Sequence, residues 1–307
     1  MAPPTNDELL SLETLGSPAL SPHGDLVLYT VTSTNWEEDS FVSQLWIAAT
    51  DGSVAPRQLT TDKNGASGAQ WSPDGAYITF VAKRGDGKPQ IHALPLNGGE
   101  AICLTAAERG VTGHAWSSDG STIAFLALEP ESEQWKERKD TFGDFVLFRS
   151  PTDQEHTHIW TIEVAAALAG EPQPGVQRTS GKDFTCSAGF MGTPLRWAPG
   201  SNTKLAFVGT DNPDLTAGNT ATVYVLDLSS AGDGEGTVTA LIKQPGADGN
   251  PRWSPCGEYI AYTSQIGRTA NALNSILCVL PAAGAAASGA KPLELSHDFD
   301  ENPSPVA

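Results

Sequence analysis

Short runs rich in β-branched and aromatic residues, cut by clusters of Pro, Gly, Asp and Asn, recur along the whole chain, a pattern that predicts strands joined by tight turns. The runs fall into line behind a repeated corner. Trp71-Ser72-Pro73-Asp74-Gly75 returns with small changes at 116–120, 197–200 and 253–257, and as Leu20-Ser21-Pro22-His23-Gly24. Ser first, Pro second and Gly fourth are the preferences of a type I turn, with Gly free to take positive φ. A strand follows each corner, at 26–32, 77–81, 123–128, 205–208 and 259–263. A third strand is predicted at 44–47, 90–94, 158–162, 222–226 and 275–279, and a short fourth at 57–60, 101–105, 176–179, 238–241 and 292–295. With the strand leading into the corner, each module has four.

The corners begin at residues 20, 71, 116, 197 and 253, a period close to the ~40–50 residues of propeller blades. Four antiparallel strands repeated in this way predict an all-β chain, a β-propeller of about five four-stranded blades, at residues 19–307, behind an N-terminal helix and lead-in at 1–18. The long gap between the third and fourth corners is assigned to an insertion in the third blade, about 129–157, and a smaller one at 165–175. The first of these mixes Glu131, Glu133, Lys136 and Glu137 with the apolar Phe145-Val146-Leu147-Phe148, a composition that suits a docking arm. Asn6-Asp7-Glu8 with Leu9, Leu10, Leu12 and Leu15 predicts a short capped amphipathic helix. The tryptophans opening the corners are assigned to the layer between blades, a reading that outweighs a sugar or base platform.

Charge narrows the partners. Lys and Arg total 18 against 36 Asp and Glu, a net charge of −18, which disfavours nucleic acid and anionic membrane surfaces. No stretch approaches the ~18 apolar residues of a membrane span, and the acidic Met1 to Glu8 region does not read as a secretory signal. Cys103, Cys186, Cys256 and Cys278 are widely spaced and read as reduced thiols, so a cytoplasmic setting is expected.

Several residue combinations go further. Leu94-Pro95-Leu96-Asn97-Gly98-Gly99-Glu100-Ala101 with Leu104-Thr105, Pro18-Ala19-Leu20-Ser21-Pro22, and Thr157-His158-Ile159-Trp160 resemble the N-terminal propellers of the prolyl oligopeptidase family of serine peptidases, in its acylaminoacyl-peptidase and dipeptidyl-peptidase-like branch. The resemblance spans about residues 6 to 300, although TolB-like propellers carry the corner repeat too. It implies a propeller that restricts substrates to short peptides by covering an α/β-hydrolase domain with a Ser, Asp and His triad. This chain lacks the G-x-S-x-G elbow such a domain requires, so it is expected to be inactive alone, with no catalytic, cofactor or metal residues of its own. Gly65-Ala66-Ser67-Gly68-Ala69 is the nearest approach and is assigned to a loop.

Phe299-Asp300-Glu301-Asn302-Pro303 parallels Ala247-Asp248-Gly249-Asn250-Pro251 and is read as the start of a sixth module. Because the family's propellers have about seven or eight blades, a partial propeller with open end faces is expected; a five-bladed ring closed by its terminal strands is the alternative. The peptidase reading itself stands beside that of a stand-alone TolB-like or WD-repeat-like scaffold, binding protein partners through the propeller face or the 129–157 insertion. His156 and His158 share a strand face near Asp153 and Glu155, but without a third ligand a metal site is outweighed. Glu37-Glu38-Asp39 reads as a solvated hairpin loop rather than a receptor for a peptide amino terminus, and Asp298, Asp300 and Glu301 lack the spacing of a calcium loop.

Overall fold

Each corner reverses the chain by the same hydrogen bonds, seen in a computed structural model that describes residues 3–131, 133–143, 155–181, 184–186, 194–211, 220–266 and 275–298. At the second corner the Gly75 N–H donates to the Ser72 carbonyl at 2.9 Å, and Gly75 takes φ 72°. The Ser72 hydroxyl donates to Asp74 Oδ1 at 2.6 Å and accepts the Tyr77 N–H at 2.9 Å, while Asp74 Oδ1 accepts the Ala76 N–H at 3.0 Å. Ser117, Asp119 and Gly120 repeat this arrangement. Where His23 replaces the aspartate, Asp25 accepts the Ser21 hydroxyl instead. Where Cys256 replaces it, the Sγ lies 3.2 Å from Ser254 Oγ. The turn therefore tolerates changes at its third position as long as the serine or its equivalent still meets the next strand.

These corners join five antiparallel four-stranded sheets, each in sequence order. Blade 1 holds β1 (Thr14–Leu20), β2 (Leu26–Asn35), β3 (Ser40–Ala49) and β4 (Arg57–Gln58). Blade 2 holds β5 (Ser67–Trp71), β6 (Tyr77–Ala82), β7 (Gln90–Pro95) and β8 (Ile102–Cys103). Blade 3 holds β9 (Val111–Trp116), β10 (Thr122–Leu128), β11 (Thr157–Glu163) and β12 (Val176–Gln177). Blade 4 holds β13 (Arg196–Trp197), β14 (Lys204–Gly209), β15 (Thr222–Asp227) and β16 (Thr237–Ala240). Blade 5 holds β17 (Asp248–Trp253), β18 (Tyr259–Ser264), β19 (Ile276–Pro281) and β20 (Leu293–Glu294). Short helices α1 (Asn6–Leu10), α2 (Glu133–Phe142), α3 (Val164–Ala169) and α4 (Gly284–Ser288) complete the elements. The chain divides into two compact units, Met1–Thr112 with Ala165–Gln173, and Gly113–Val164 with Pro174–Ala307, so the first carries blades 1 and 2 and the second blades 3 to 5.

The 129–157 insertion opens and closes on one rung of blade 3, where Leu128 pairs with Thr157 and the Glu129 N–H donates to the His156 carbonyl. It therefore leaves the ladder intact and contributes α2; Phe145 to Phe148 lie outside the described residues, as do Asp153, Asp300, Glu301 and the rest of 299–307. The N-terminal helix is shorter than its leucines suggest. Thr5 and Glu8 form a reciprocal capping box, but α1 ends at Leu10 and Leu15 lies in β1. Pairing of Thr14 with Thr32 and Leu15 with Val31 draws this segment into the sheet, so the first strand begins ahead of residue 19.

Within each unit, blades are held by a shared apolar layer. Leu28, Leu45 and Ile47 of blade 1 pack with Ile78 and Phe80 of blade 2. Leu126 and Ile159 pack with Trp197, Leu205 and Phe207, and Ala206, Val208 and Val223 pack with Ile260, Tyr262 and Leu280. Successive residues of β14 thus face different neighbours, which is why the strand is an unbroken buried run. The corner tryptophans add a polar register mark. Trp71 Nε1 donates to the Ala19 carbonyl at 3.1 Å, Trp197 Nε1 to Ala115 at 3.1 Å, and Trp253 Nε1 to Arg196 at 2.8 Å. In all three the acceptor is the residue just before the corner position of the preceding blade.

Candidate functional site

The positions with sequence-level chemistry are absorbed by the repeat. Ser67 is exposed on β5, an edge of an antiparallel sheet rather than a strand-to-helix elbow. Its two glycines have backbone roles: a Cβ at Gly65 would lie 2.6 Å from the Ser43 carbonyl, and Gly68 takes φ 61° in the bulge between Ser67 and Gln70. Glu37, Glu38 and Asp39 occupy an exposed β2–β3 loop, with Asn35 Oδ1 accepting the N–H groups of Glu37 and Glu38 and Lys63 lying 3.3 Å from Glu38. Asp298 is exposed.

His156 and His158 do lie together, their rings stacked with centroids 6.5 Å apart. Among the described residues, however, no group of three or more His, Cys, Asp or Glu is placed to hold a metal. The repeat explains His158 instead. The Thr60 hydroxyl accepts the Leu45 N–H and donates to Gln44 Oε1; the Thr105 hydroxyl accepts the Ile91 N–H and donates to Gln90 Oε1. In blade 3 the Thr179 hydroxyl accepts the Ile159 N–H and lies 3.1 Å from His158 Nδ1, so the imidazole stands where blades 1 and 2 place a glutamine. By that analogy Nδ1 accepts and the proton sits on Nε2, which is 3.2 Å from Glu129 Oε1 at the root of the insertion. That contact is within charge range but off the direction of a hydrogen bond. Burial pushes the His158 pKa down, opposed by Glu129 and reinforced by His156. Sequence reasoning missed this recurring threonine, although Leu59-Thr60 and Leu104-Thr105 carry it openly.

The surfaces left for function are the outer faces of the first and last blades. Leu15 and Leu20, opposite Val31 and Val27, are 75% and 64% exposed, on the face of blade 1 turned away from Leu28 and Ile47. In blade 5, Leu293 pairs with Val279 on the face opposite Ile260 and Tyr262 and is 62% exposed, with Tyr259 at 46%. Among the described residues, no strand of blades 2 to 4 carries a large exposed apolar side chain. Exposed apolar side chains on the outer face of an end blade suit contact with a further element.

Residues 10–158 match the family model described as a TolB beta propeller domain. With the five four-stranded sheets, this match fits a β-propeller fold. Over 103 residues the propeller chain is 31% identical to the "Uncharacterized peptidase YuxL" of Bacillus subtilis (strain 168), an alignment covering 33% of this chain and 15% of that protein. In structure it resembles the acylaminoacyl peptidase of Pyrococcus horikoshii, with TM-score 0.65 and 15% identity, over 96% of this chain and 41% of the peptidase. It also resembles a putative TolB from Agrobacterium tumefaciens, with TM-score 0.55 and 17% identity, over 92% of this chain and 80% of the other. The propeller chain thus spans less than half the length of either peptidase. Among its described residues no helix is long and apolar enough to cross a membrane.

Proposed function

We propose that this chain is the propeller part of a serine peptidase of the prolyl oligopeptidase type, covering an α/β-hydrolase active site and admitting short peptides to it. The observation that carries the reading is the 31% identity to a relative named as a peptidase. The fold-level likeness to an acylaminoacyl peptidase over 96% of the chain supports it, as do the apolar end faces at Leu15, Leu20 and Leu293, which suit further blades. In this reading the chain shapes access, and hydrolysis belongs to the partner domain. Four unpaired cysteines, two of them buried, suit a cytoplasmic setting.

Labelling with a fluorophosphonate probe tests the proposal. The purified chain is expected to stay unlabelled, while the native gene product takes the label at a serine outside these 307 residues and cleaves short peptides in preference to folded proteins. A labelled serine within this chain, or a native product without hydrolase activity, would overturn it. The likeness to a TolB over 80% of that protein supports a second reading, a stand-alone scaffold for protein partners. A stable partner lost on deleting the insertion around α2, where Phe142 is exposed, would favour that reading.

A further inference from the structure

Two cavities flank β16, the edge strand of blade 4, and both lie inside the second compact unit. The larger, about 700 Å³, opens between β16 and the α4–β20 segment of blade 5; the smaller, about 370 Å³, opens toward Thr179, Ser180 and Phe184. Helix α4 is tied to the end of β16: the Ala285 N–H donates to the Leu241 carbonyl at 2.8 Å, and a Cβ at Gly284 would lie 3.0 Å from the Ala240 carbonyl. With the helix held so close, the short side chains of Ala240, Ala286 and Ala290 leave the larger cavity open, at a size that suits a small organic ligand.

Its lining combines an apolar wall with positive charge. Val238, Ile242 and Pro292 supply the wall, and the only charged residues among those lining it are Lys243 and Lys291, in a chain with 36 Asp and Glu against 18 Lys and Arg. Both lysines are exposed, and neither ammonium has an ion-pair or hydrogen-bond partner among the described residues. Tyr224 lines both cavities and is 8% exposed. Its ring packs edge-on to Phe184 and flat against Phe207, with centroids 5.0 and 5.7 Å away, yet its hydroxyl has no hydrogen-bond partner among the described residues. A polar group on so deeply buried a side chain is costly to leave unmatched. Burial, then Asp211 and Cys186, push its pKa up to about 12, so it keeps its proton and remains a donor. Asp211 and Glu235 line the smaller cavity alone, and Glu235 already accepts the Ser180 hydroxyl at 2.7 Å.

We propose that the larger cavity binds a monocarboxylate with an apolar body, its carboxylate meeting Lys243, Lys291 and the Tyr224 hydroxyl while the body lies along Val238, Ile242 and Pro292. Asp211 and Glu235, beyond Lys243, select against a second negative charge. A fatty acid and the C-terminus of an apolar peptide share this chemistry, and the site does not depend on the peptidase reading. The test is calorimetric titration of the intact chain with octanoate and octanol, and with N-acetyl-Leu-Leu-Phe as free acid and as amide, repeated with K243Q, K291Q and Y224F. Saturable binding of octanoate but not octanol assigns a fatty acid, and binding of the peptide acid but not its amide assigns a peptide C-terminus; both support the site. In either case each lysine substitution weakens binding by about fivefold or more. Y224F weakens it by about threefold or more without lowering the denaturation midpoint, since the hydroxyl has no partner to lose. If Y224F fails to fold, the two exposed lysines carry the test. Failure of both acids to bind saturably, octanol or the amide binding as tightly as its acid, or binding unaltered by the substitutions would overturn the site.

Discussion

Blades 4 and 5 are the same module with the same corner and strand order, yet they bury different amounts of themselves. In blade 4 both faces are covered: Leu205 and Phe207 pack toward blade 3, and Ala206 and Val208 toward blade 5. Blade 5 buries Ile260, Tyr262 and Leu280 on one side and leaves Tyr259 and Leu293 open on the other. The strand sequences prepare both faces for contact, and a neighbour decides which of them becomes core. A blade is thus a unit of pairing whose stability lies largely in its interfaces.

Substitutions across this divide sharpen the contrast. Phe207→Ala removes a side chain with no exposure from the blade 3–4 layer and is expected to cost about 3–5 kcal/mol in denaturant melts; a loss below 1 kcal/mol would mean that the layer is not a core. The covered face of blade 5 also holds Asp248, which is 2% exposed and accepts from Gln244 Nε2 at 3.1 Å. Burial pushes its pKa up to about 6, so the folded state binds its proton more tightly than the unfolded chain does. Its contribution is full below the unfolded value near 4 and is lost as pH rises through about 6. Asp248→Asn should therefore stabilise the chain by about 2–3 kcal/mol at pH 7, with the gain vanishing toward pH 4. His114, held down to about 4 by complete burial, acts in the opposite sense over the same range, so parent and variant must be compared at each pH.

Trp197→Phe keeps most of the ring but leaves the Ala115 carbonyl without its indole donor, a loss of about 1–2 kcal/mol by chemical denaturation. The smallest effect belongs to the open face: Leu293→Ser should change stability by less than about 0.5 kcal/mol while reducing self-association in sedimentation runs. A large loss of stability there would show that this face is covered.

Turn chemistry made the blades legible. Ser72, Asp74 and Gly75 act within a few residues, so their pattern announces a corner without help from the rest of the fold. The insertion was legible for the same reason, since it interrupts a count of corners. Leu12 and Leu15 were not, because a short apolar run suits a helix or a strand and pairing with β2 decides the matter. The Thr179–His158 contact was hidden differently: it joins residues 21 positions apart and depends on which strand lies beside which.

Hydroxyl-radical footprinting of the isolated chain, at a concentration where sedimentation shows a monomer, tests most directly that these are blades with open end faces. Oxidation at Leu15, Leu20, Tyr259 and Leu293 should be strong, while Leu205, Phe207 and Tyr262 stay protected. Protection of Leu15 and Leu293 as deep as that of Phe207 would contradict the account.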